Sequence, residues 1–409
     1  MLNWANRFNI FCFLDNHHYK LAHHSVECLL AVGSLRQLEC ASGTALDDFH
    51  TFSKQEDDWI FGHLGYDLKN ETENMTSSNE DHIQFPDLFF YVPEIIIQLS
   101  EEIISIGVRG GNAQEVYEQI MKSPNVMFSQ LVQARIQNRF SQSDYIKVIG
   151  QLRQHILRGD CYEINFCQEF YDDNIKIDPL STFWSLSTAS PNPFSAFYRL
   201  HDKYLMCASP ERYLKKVGDL IYSQPIKGTW QRDLLNKEKD AENKRLLQQS
   251  SKERSENVMV VDLVRNDLSK VCLEGSVLVE ELFGAYSFPQ VHQLISTIKG
   301  TLKEGIEPVD IIRASFPMGS MTGAPKRRVL ELIEEYERTK RGLFSGALGY
   351  ISPDGEFDFN VIIRSILYNS TAAYLSFQTG SGITFYSDPE NEYEECLLKA
   401  QAIKKVLTG

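Results

Sequence analysis

Two glutamate pairs sit at helical spacing. Glu253 and Glu256 are three residues apart, as are Glu392 and Glu395, with Lys399 four residues further on. Side chains three or four apart share a helix face. Two such faces meeting across a cleft could hold a hard cation through oxygen ligands and leave positions open for a carboxylate. The same spacing is common on solvated helices, so it decides nothing alone.

Lys227 lies in Pro225-Ile226-Lys227-Gly228-Thr229, at the end of an expected strand. Desolvation between Ile226 and Gly228 lowers a lysine pKa and frees the amine as a nucleophile. The alternative is an edge-strand lysine snorkelling to water. Gly319 to Lys326 is a glycine-rich turn entering a helix, where free N–H groups can meet an anion. It lacks the Gly-Lys-Ser/Thr ending of a Walker loop. Gly380-Ser381-Gly382 follows an expected strand Ala373 to Gln378, so its N–H groups could grip a carboxylate. His17-His18 and His23-His24 lie near the start without a nearby carboxylate or thiol set, which argues against a metal site there. His292 stands alone, where a satisfied core histidine is the default.

The elements that must position these residues are legible in outline. Tyr145, Val148, Ile149, Leu152 and Ile156 recur at helical spacing, and Gly159 stands at the C-cap position. Strands are expected at Phe8 to Leu14, Trp59 to Tyr66, Leu88 to Leu99, Ala196 to Leu200, Tyr204 to Ala208, Arg212 to Val217, Leu220 to Ile226, Gly346 to Ser352 and Val361 to Tyr368. Helices are expected at Ala45 to Phe52, from Asn236 into Val264, at Lys326 to Tyr336, and from Glu390 onward. Irregular alternation of long strands and helices argues for α+β rather than a repeated βαβ array. No internal repeat is evident.

Composition narrows the partners. The 409 residues include 43% hydrophobic and 23% charged residues, ordinary globular usage. The net charge is −14 without a compact basic patch, which argues against nucleic acid. An anionic ligand would need local cations. Cysteines 12, 28, 40, 161, 167, 207, 272 and 396 form no Cys-x-x-Cys pair and read as reduced thiols. No basic-then-apolar leader opens the chain, and no apolar run reaches the roughly 20 residues a bilayer span needs. A cytoplasmic protein is expected.

From about Ser143 to Gly409 the segments together resemble the chorismate-binding enzyme family, which includes anthranilate, aminodeoxychorismate, isochorismate and salicylate synthases. The resemblance rests on Gly159 to Asn165, Ala208-Ser209-Pro210-Glu211-Arg212, Pro225 to Thr229, and Glu253 to Asn257 running into Val261 to Asp267. It continues through Gly319 to Lys326, Phe344 to Tyr350, Ile363-Arg364 and the Glu392/Glu395/Lys399 helix. Gly62 to Asp67 is a looser match in the N-terminal third.

This resemblance implies two interlocked α+β subdomains, residues 1–140 and a catalytic 141–409. Their antiparallel sheets would form a sandwich with helices outside and the active site in the cleft between the sheets. It implies Mg²⁺ on Glu256 and Glu395, with Glu253 and Glu392 behind them. Arg364, Tyr350 and the backbone of Gly380, Ser381 and Gly382 would hold the carboxylates or enolpyruvyl arm of chorismate. Gly228, Thr229, Thr322 and Lys399 would line the site, and His292 would lie near the ring.

At Lys227 the chain resembles the aminodeoxychorismate branch, because anthranilate synthases carry alanine there. In the aminodeoxychorismate branch the lysine attacks the ring, ammonia displaces it, and Glu211 protonates the departing 4-hydroxyl. The anthranilate branch is the main alternative and the isochorismate branch the next. No Leu-Leu-Glu-Ser run is evident in the first 60 residues, which favours the folate branch. No glutamine amidotransferase segment is recognised, so ammonia is expected from a separate amidotransferase subunit. One departure is Glu163, where the family often has glutamine.

Overall fold

The computed structural model describes residues 1–19, 23, 26–55, 57–124 and 133–409. Among them two sheets form, one of 11 and one of 10 strands, antiparallel at every pairing. Strand Ile10–Asp15 shows why they stack. Ile10 and Cys12 enter a core between the sheets, while Phe11 and Phe13 enter a second core on the outer face. Successive residues point to opposite faces of a strand, so a strand buried on both sides must be apolar at every position.

The inner core joins Leu29, Ala31, Tyr198 and Leu205 of the larger sheet to Phe61, Phe89, Tyr91 and Leu348 of the smaller. Polar ties cross it: His63 Nδ1 lies 3.1 Å from the Tyr198 hydroxyl, and the Tyr91 hydroxyl donates to the Ala31 carbonyl at 3.1 Å. The outer core packs Phe166, Phe197, Met206 and Phe377 under helices Gln142–Arg158, Pro179–Ala189 and Pro389–Thr408.

Both sheets draw strands from both sides of residue 140. Ile10–Asp15, Cys28–Val32, Ile95–Leu99 and Ile104–Val108 extend the larger sheet, and Ile10–Asp15 pairs with Phe194–Leu200. Arg36–Cys40, Ile60–Leu64 and Leu88–Val92 complete the smaller, where Ile60–Leu64 pairs with Ala347–Ile351. The α+β sandwich read from the sequence is the observed fold.

Three expected elements are each divided in two. The apolar run Leu88 to Leu99 breaks at Pro93, which has no N–H to donate, and its halves join different sheets. Leu220 to Ile226 breaks at Pro225, giving Leu220–Gln224 and Ile226–Gln231. The polar helix from Asn236 into Val264 is two helices, Lys237–Gln249 and Ser251–Ser269. Ser250 has extended backbone between them, and its side chain accepts a hydrogen bond from the Glu253 N–H. That cap starts a fresh helix whose first turns carry Glu253 and Glu256.

Candidate active site

A cleft of about 760 Å³, counting its open mouth, collects side chains from seven elements. Helix Ser251–Ser269 contributes Glu253 and Glu256, and helix Pro389–Thr408 contributes Glu395 and Lys399. Strand Ile226–Gln231 contributes Lys227, Gly228 and Thr229. Its register against Val291–Thr301 shifts between Ile226 and Thr229, and Gly228 there has φ +94°. A bulge re-aims side chains, and a positive φ suits glycine. Glu211 follows strand Lys203–Ser209, Arg364 precedes strand Ser365–Asn369, and Gly380 and Gly382 lie within strand Tyr374–Ile383.

Lys227 Nζ donates to Glu163 Oε1 at 2.5 Å, with both side chains at least nine-tenths buried. Lys399 Nζ lies 2.7 Å from Glu395 Oε1 and donates to the Gly380 carbonyl at 2.9 Å. Arg364 Nη1 donates to the Lys399 carbonyl at 3.2 Å. Burial pushes the Arg364 guanidinium down to about 10, against the upward pull of Glu395.

Burial also raises the Glu211 carboxyl to about 7, only partly offset by Ser320 and Lys227. Glu211 can therefore carry a proton near neutral pH and give it up. Burial raises Glu256 to about 8, against the pull of Lys227 and with the push of Glu163 and Glu253. For Glu395 the upward push of burial is outweighed by Lys399, and the net shift is downward.

Lys227 departs from the expectation of a free amine. Burial does lower it, but Glu163, Glu256 and Glu211 outweigh burial and the net shift is upward. At rest it is an ammonium.

The four acidic residues offer the hard oxygen donors that Mg²⁺ takes. Glu256 Oε1 and Glu392 Oε2 are buried with no hydrogen-bond partner. Lys252 reaches both acidic helices, 3.1 Å from Glu392 Oε1 and 3.9 Å from Glu256 Oε1. Among the described residues no three or more His, Cys, Asp or Glu side chains are already gathered around one point. The donor chemistry and the orphaned oxygens fit a divalent cation, whose entry would replace lysine contacts.

Several expected residues lie elsewhere. His292 does not line the cleft: its ring is held by the Ser287 hydroxyl at 2.9 Å and Asp240 Oδ1 at 3.0 Å. Its neighbour Gln293 lines the cleft instead, because adjacent residues of a strand face opposite ways. Tyr350 packs on Trp59 and Phe61 and borders a separate cavity of about 590 Å³ between the sheets, with Arg212 and Asp358. The Thr322 hydroxyl is buried against the Met318 carbonyl at 3.2 Å, and Ser320 and Met321 line the cleft in its place.

Gly380 to Gly382 form no exposed turn. They pair with Cys167, Phe166 and Asn165 inside the sheet, and the Ser381 side chain faces away from the cleft. Glu392 is buried behind the cleft against Lys252. Of the histidine pairs, His17 bonds Ser187 and His23 bonds Glu280, while His24 lies outside the described residues.

Sequence reasoning gave no site role to Glu163, Lys252 or Gln293. Lys252 had a signal, since it stands four residues before Glu256 on one helix. Gln293 had the strand parity just described.

Residues 8–405 match the model of the chorismate binding enzyme family, and the chain belongs to that family. Within it, the chain is similar to aminodeoxychorismate synthase component 1 of Salmonella typhimurium. Identity is 35% over 345 residues, covering 84% of this chain and 75% of that protein. The Bacillus subtilis protein of the same name is 31% identical over 361 residues, covering 85% and 76%. The fold is shared with the crystal structure of anthranilate synthase component I from Streptococcus pneumoniae, at TM-score 0.81 and 24% identity over 94% of each chain.

Proposed function

We propose that this chain is an aminodeoxychorismate synthase component 1. It replaces the 4-hydroxyl of chorismate with an amino group and gives 4-amino-4-deoxychorismate on the route to p-aminobenzoate and folate. The observation that carries the reading is Lys227, buried beside the cleft with Glu211, a carboxyl that holds a proton near pH 7. The relatives of the same name support it.

In this reading Lys227 Nζ bonds to the substrate ring as the C4–O bond breaks, and Glu211 delivers a proton so that water leaves. Ammonia then bonds to C4 and Lys227 departs. The incoming nitrogen's surplus proton returns to Glu211. Chorismate and ammonia are consumed, aminodeoxychorismate and water are formed, and the enolpyruvyl arm is kept.

Arg364 and Lys399 meet substrate carboxylates. Glu256 and Glu395 would hold Mg²⁺, with Glu253 and Glu392 behind them, and when bound the ion supplies positive charge to a substrate carboxylate. The ammonia comes from a glutamine amidotransferase subunit, a reading supported by the component numbering in the relatives' names. We place the protein in the cytoplasm. The eight unpaired cysteines support a reducing compartment, and no helix among the described residues is long and apolar enough to cross a membrane.

The test incubates the purified chain with chorismate, MgCl₂ and ammonium chloride and identifies the product by mass. Aminodeoxychorismate is expected, converted to p-aminobenzoate only when a lyase is added. Glutamine should replace ammonium only with the amidotransferase present. Release of anthranilate and pyruvate by the chain itself would move the protein to the anthranilate branch.

A further inference from the structure

Gln293 is 4% exposed, and its Oε1 is buried with no hydrogen-bond partner. A buried amide oxygen is normally paired, because leaving it unpaired costs about 1–3 kcal/mol. Its side chain stands in the wall between two spaces. Gln293 and Arg364 line both the cleft and a smaller side pocket of about 350 Å³, counting its open mouth. A third link is covalent: Pro210 lines the side pocket, and its chain neighbour Glu211 lines the cleft.

The side pocket runs inward from the surface. At its outer end stand exposed Gln290 and partly buried Ser190, and at its inner end buried Asn192, Pro210 and Gln293. Gln290 Nε2 donates to the Ala189 carbonyl at 2.6 Å, which ties the turn after strand Leu278–Ser287 to the end of helix Pro179–Ala189. Asn192 Nδ2 donates to the Ala208 carbonyl at 2.9 Å and so fixes the inner end to strand Lys203–Ser209. A water-sized molecule takes up about 30 Å³, which this space admits.

The reaction needs a second way in. Chorismate fills the cleft, and a closed cleft keeps water from the substrate while Lys227 is bonded to it. Ammonia must then reach C4 without the cleft reopening. A pocket that meets the cleft at Gln293, Arg364 and Glu211 supplies what that step uses. Ammonia has three N–H donors and one lone pair, so it can donate to Gln293 Oε1 and keep the lone pair for carbon. Arg364 is a cation at the junction. It repels ammonium, which has no lone pair, and does not oppose neutral ammonia. Glu211 is a carboxylate once it has protonated the departing hydroxyl, and it stands one residue from the pocket wall to take the surplus proton.

We propose that the side pocket is the route by which ammonia reaches the ring, and that Gln293 Oε1 accepts one of its N–H bonds at the inner end. This rests on the reading of the chain as an enzyme that aminates chorismate. In the step itself the ammonia nitrogen bonds to C4. The ring's bond to Lys227 breaks, with its electron pair going to the lysine nitrogen, and one proton passes from the new amine to Glu211.

The experiment fills the pocket from two walls. Ser190→Trp and Val291→Trp each add a ring there, and neither residue lines the cleft. Initial rates are measured with chorismate, MgCl₂ and ammonium chloride at fixed pH. The lysine adduct is detected by intact mass in samples quenched without ammonium. Each tryptophan variant should raise KM for ammonium at least about tenfold, while KM for chorismate stays within about threefold and the adduct forms as in wild type.

Gln293→Leu nearly keeps the size of the side chain and removes the accepting oxygen. Loss of one hydrogen bond should raise its KM for ammonium about 2–10-fold, with the adduct retained. Thermal midpoints confirm folding, and Gln293→Leu carries the test if a tryptophan variant is unfolded. The proposal is overturned if folded tryptophan variants keep the wild-type KM for ammonium. It is also overturned if KM for chorismate and the adduct suffer in proportion, or if Gln293→Leu leaves KM for ammonium unchanged. Failure of wild type to form aminodeoxychorismate from chorismate and ammonium would instead overturn the functional reading beneath it.

Discussion

Lys252 Nζ lies 3.1 Å from Glu392 Oε1 and 3.9 Å from Glu256 Oε1, so one ammonium spans the two acidic helices. Burial lowers Lys252, but Glu392, Glu256 and Glu395 outweigh burial, and the net shift is upward. The helices are thereby held together by a protein cation where the proposed metal would act.

This arrangement gives the first prediction. Glu256→Gln and Glu395→Gln each remove a charged oxygen and should abolish Mg²⁺-dependent amination. Glu253→Gln and Glu392→Gln should cost less, about 10–100-fold in activity or metal affinity. Initial rates over a MgCl₂ titration, with EDTA reversal, check this. Normal titrations in both of the first two variants would remove the two-helix metal site.

Lys227→Ala should lose most amination while still binding chorismate, because methyl cannot attack but Arg364 and Lys399 remain. Removing one partner of a buried ion pair also costs on the order of 3–5 kcal/mol, so a thermal midpoint must accompany the assay. Lys227→Arg keeps a cation beside Glu163 but supplies no usable nucleophile, and it too should be inactive. Amination by either variant at the wild-type rate would refute covalent catalysis.

Glu211→Gln should be inactive for a different reason, since an amide cannot protonate the departing hydroxyl. Stability offers a second readout. The folded Glu211 carboxyl sits at about 7, above its ordinary value of 4.5, chiefly because it is buried. A raised carboxyl contributes stability fully below the unfolded value and loses it as pH rises through the folded value. Glu211→Gln should therefore gain on wild type between pH 5 and pH 8, by roughly 1–3 kcal/mol. Urea midpoints at the two pH values measure this, and an unchanged difference would place Glu211 in a solvated setting.

Two glycines of one strand should respond differently to alanine. At Gly382 the atoms nearest the added methyl are the ends of the Glu163, Lys227 and Glu256 side chains, which can move. That variant should fold and lose turnover. At Gly380 the methyl would fall on the Phe166 carbonyl of the paired strand, which cannot move without opening the sheet. That variant should lose thermal stability first. Thermal midpoints and amination rates on both separate the two outcomes.

The two glutamate pairs and Lys399 were legible because their spacing follows helix faces, and Lys227 because of its place between Ile226 and Gly228, whereas Glu211 and Arg364 came only with the family resemblance. Position across a strand was harder to read. His292 and Gln293 differ by one residue, and the pleat sends one to Asp240 and the other to the cleft. Tyr350 failed similarly: its ring packs on Trp59 from the N-terminal part of the chain, a partner no local pattern reveals. Glu163 registered only as a departure from similar sequences, since its meaning depends on Lys227, which lies 64 positions away. Pro93 and Pro225 divided runs that periodicity alone joins.

The pairing of Ile10 with Leu200 has a consequence for biosynthesis. Strand Ile10–Asp15 meets Cys28–Val32 early, but its other neighbour, Phe194–Leu200, arrives only after about 190 further residues have been added. At ordinary elongation rates of about 5–20 residues per second, that wait is roughly 10–40 seconds. Meanwhile Phe11 and Phe13 on one face and Ile10 and Cys12 on the other have no long-range shelter. The nascent chain thus presents a sticky ribbon to the ribosome exit and to its siblings on the same message. Chaperone demand and yield at high expression should depend more on this early hairpin than on any residue of the cleft.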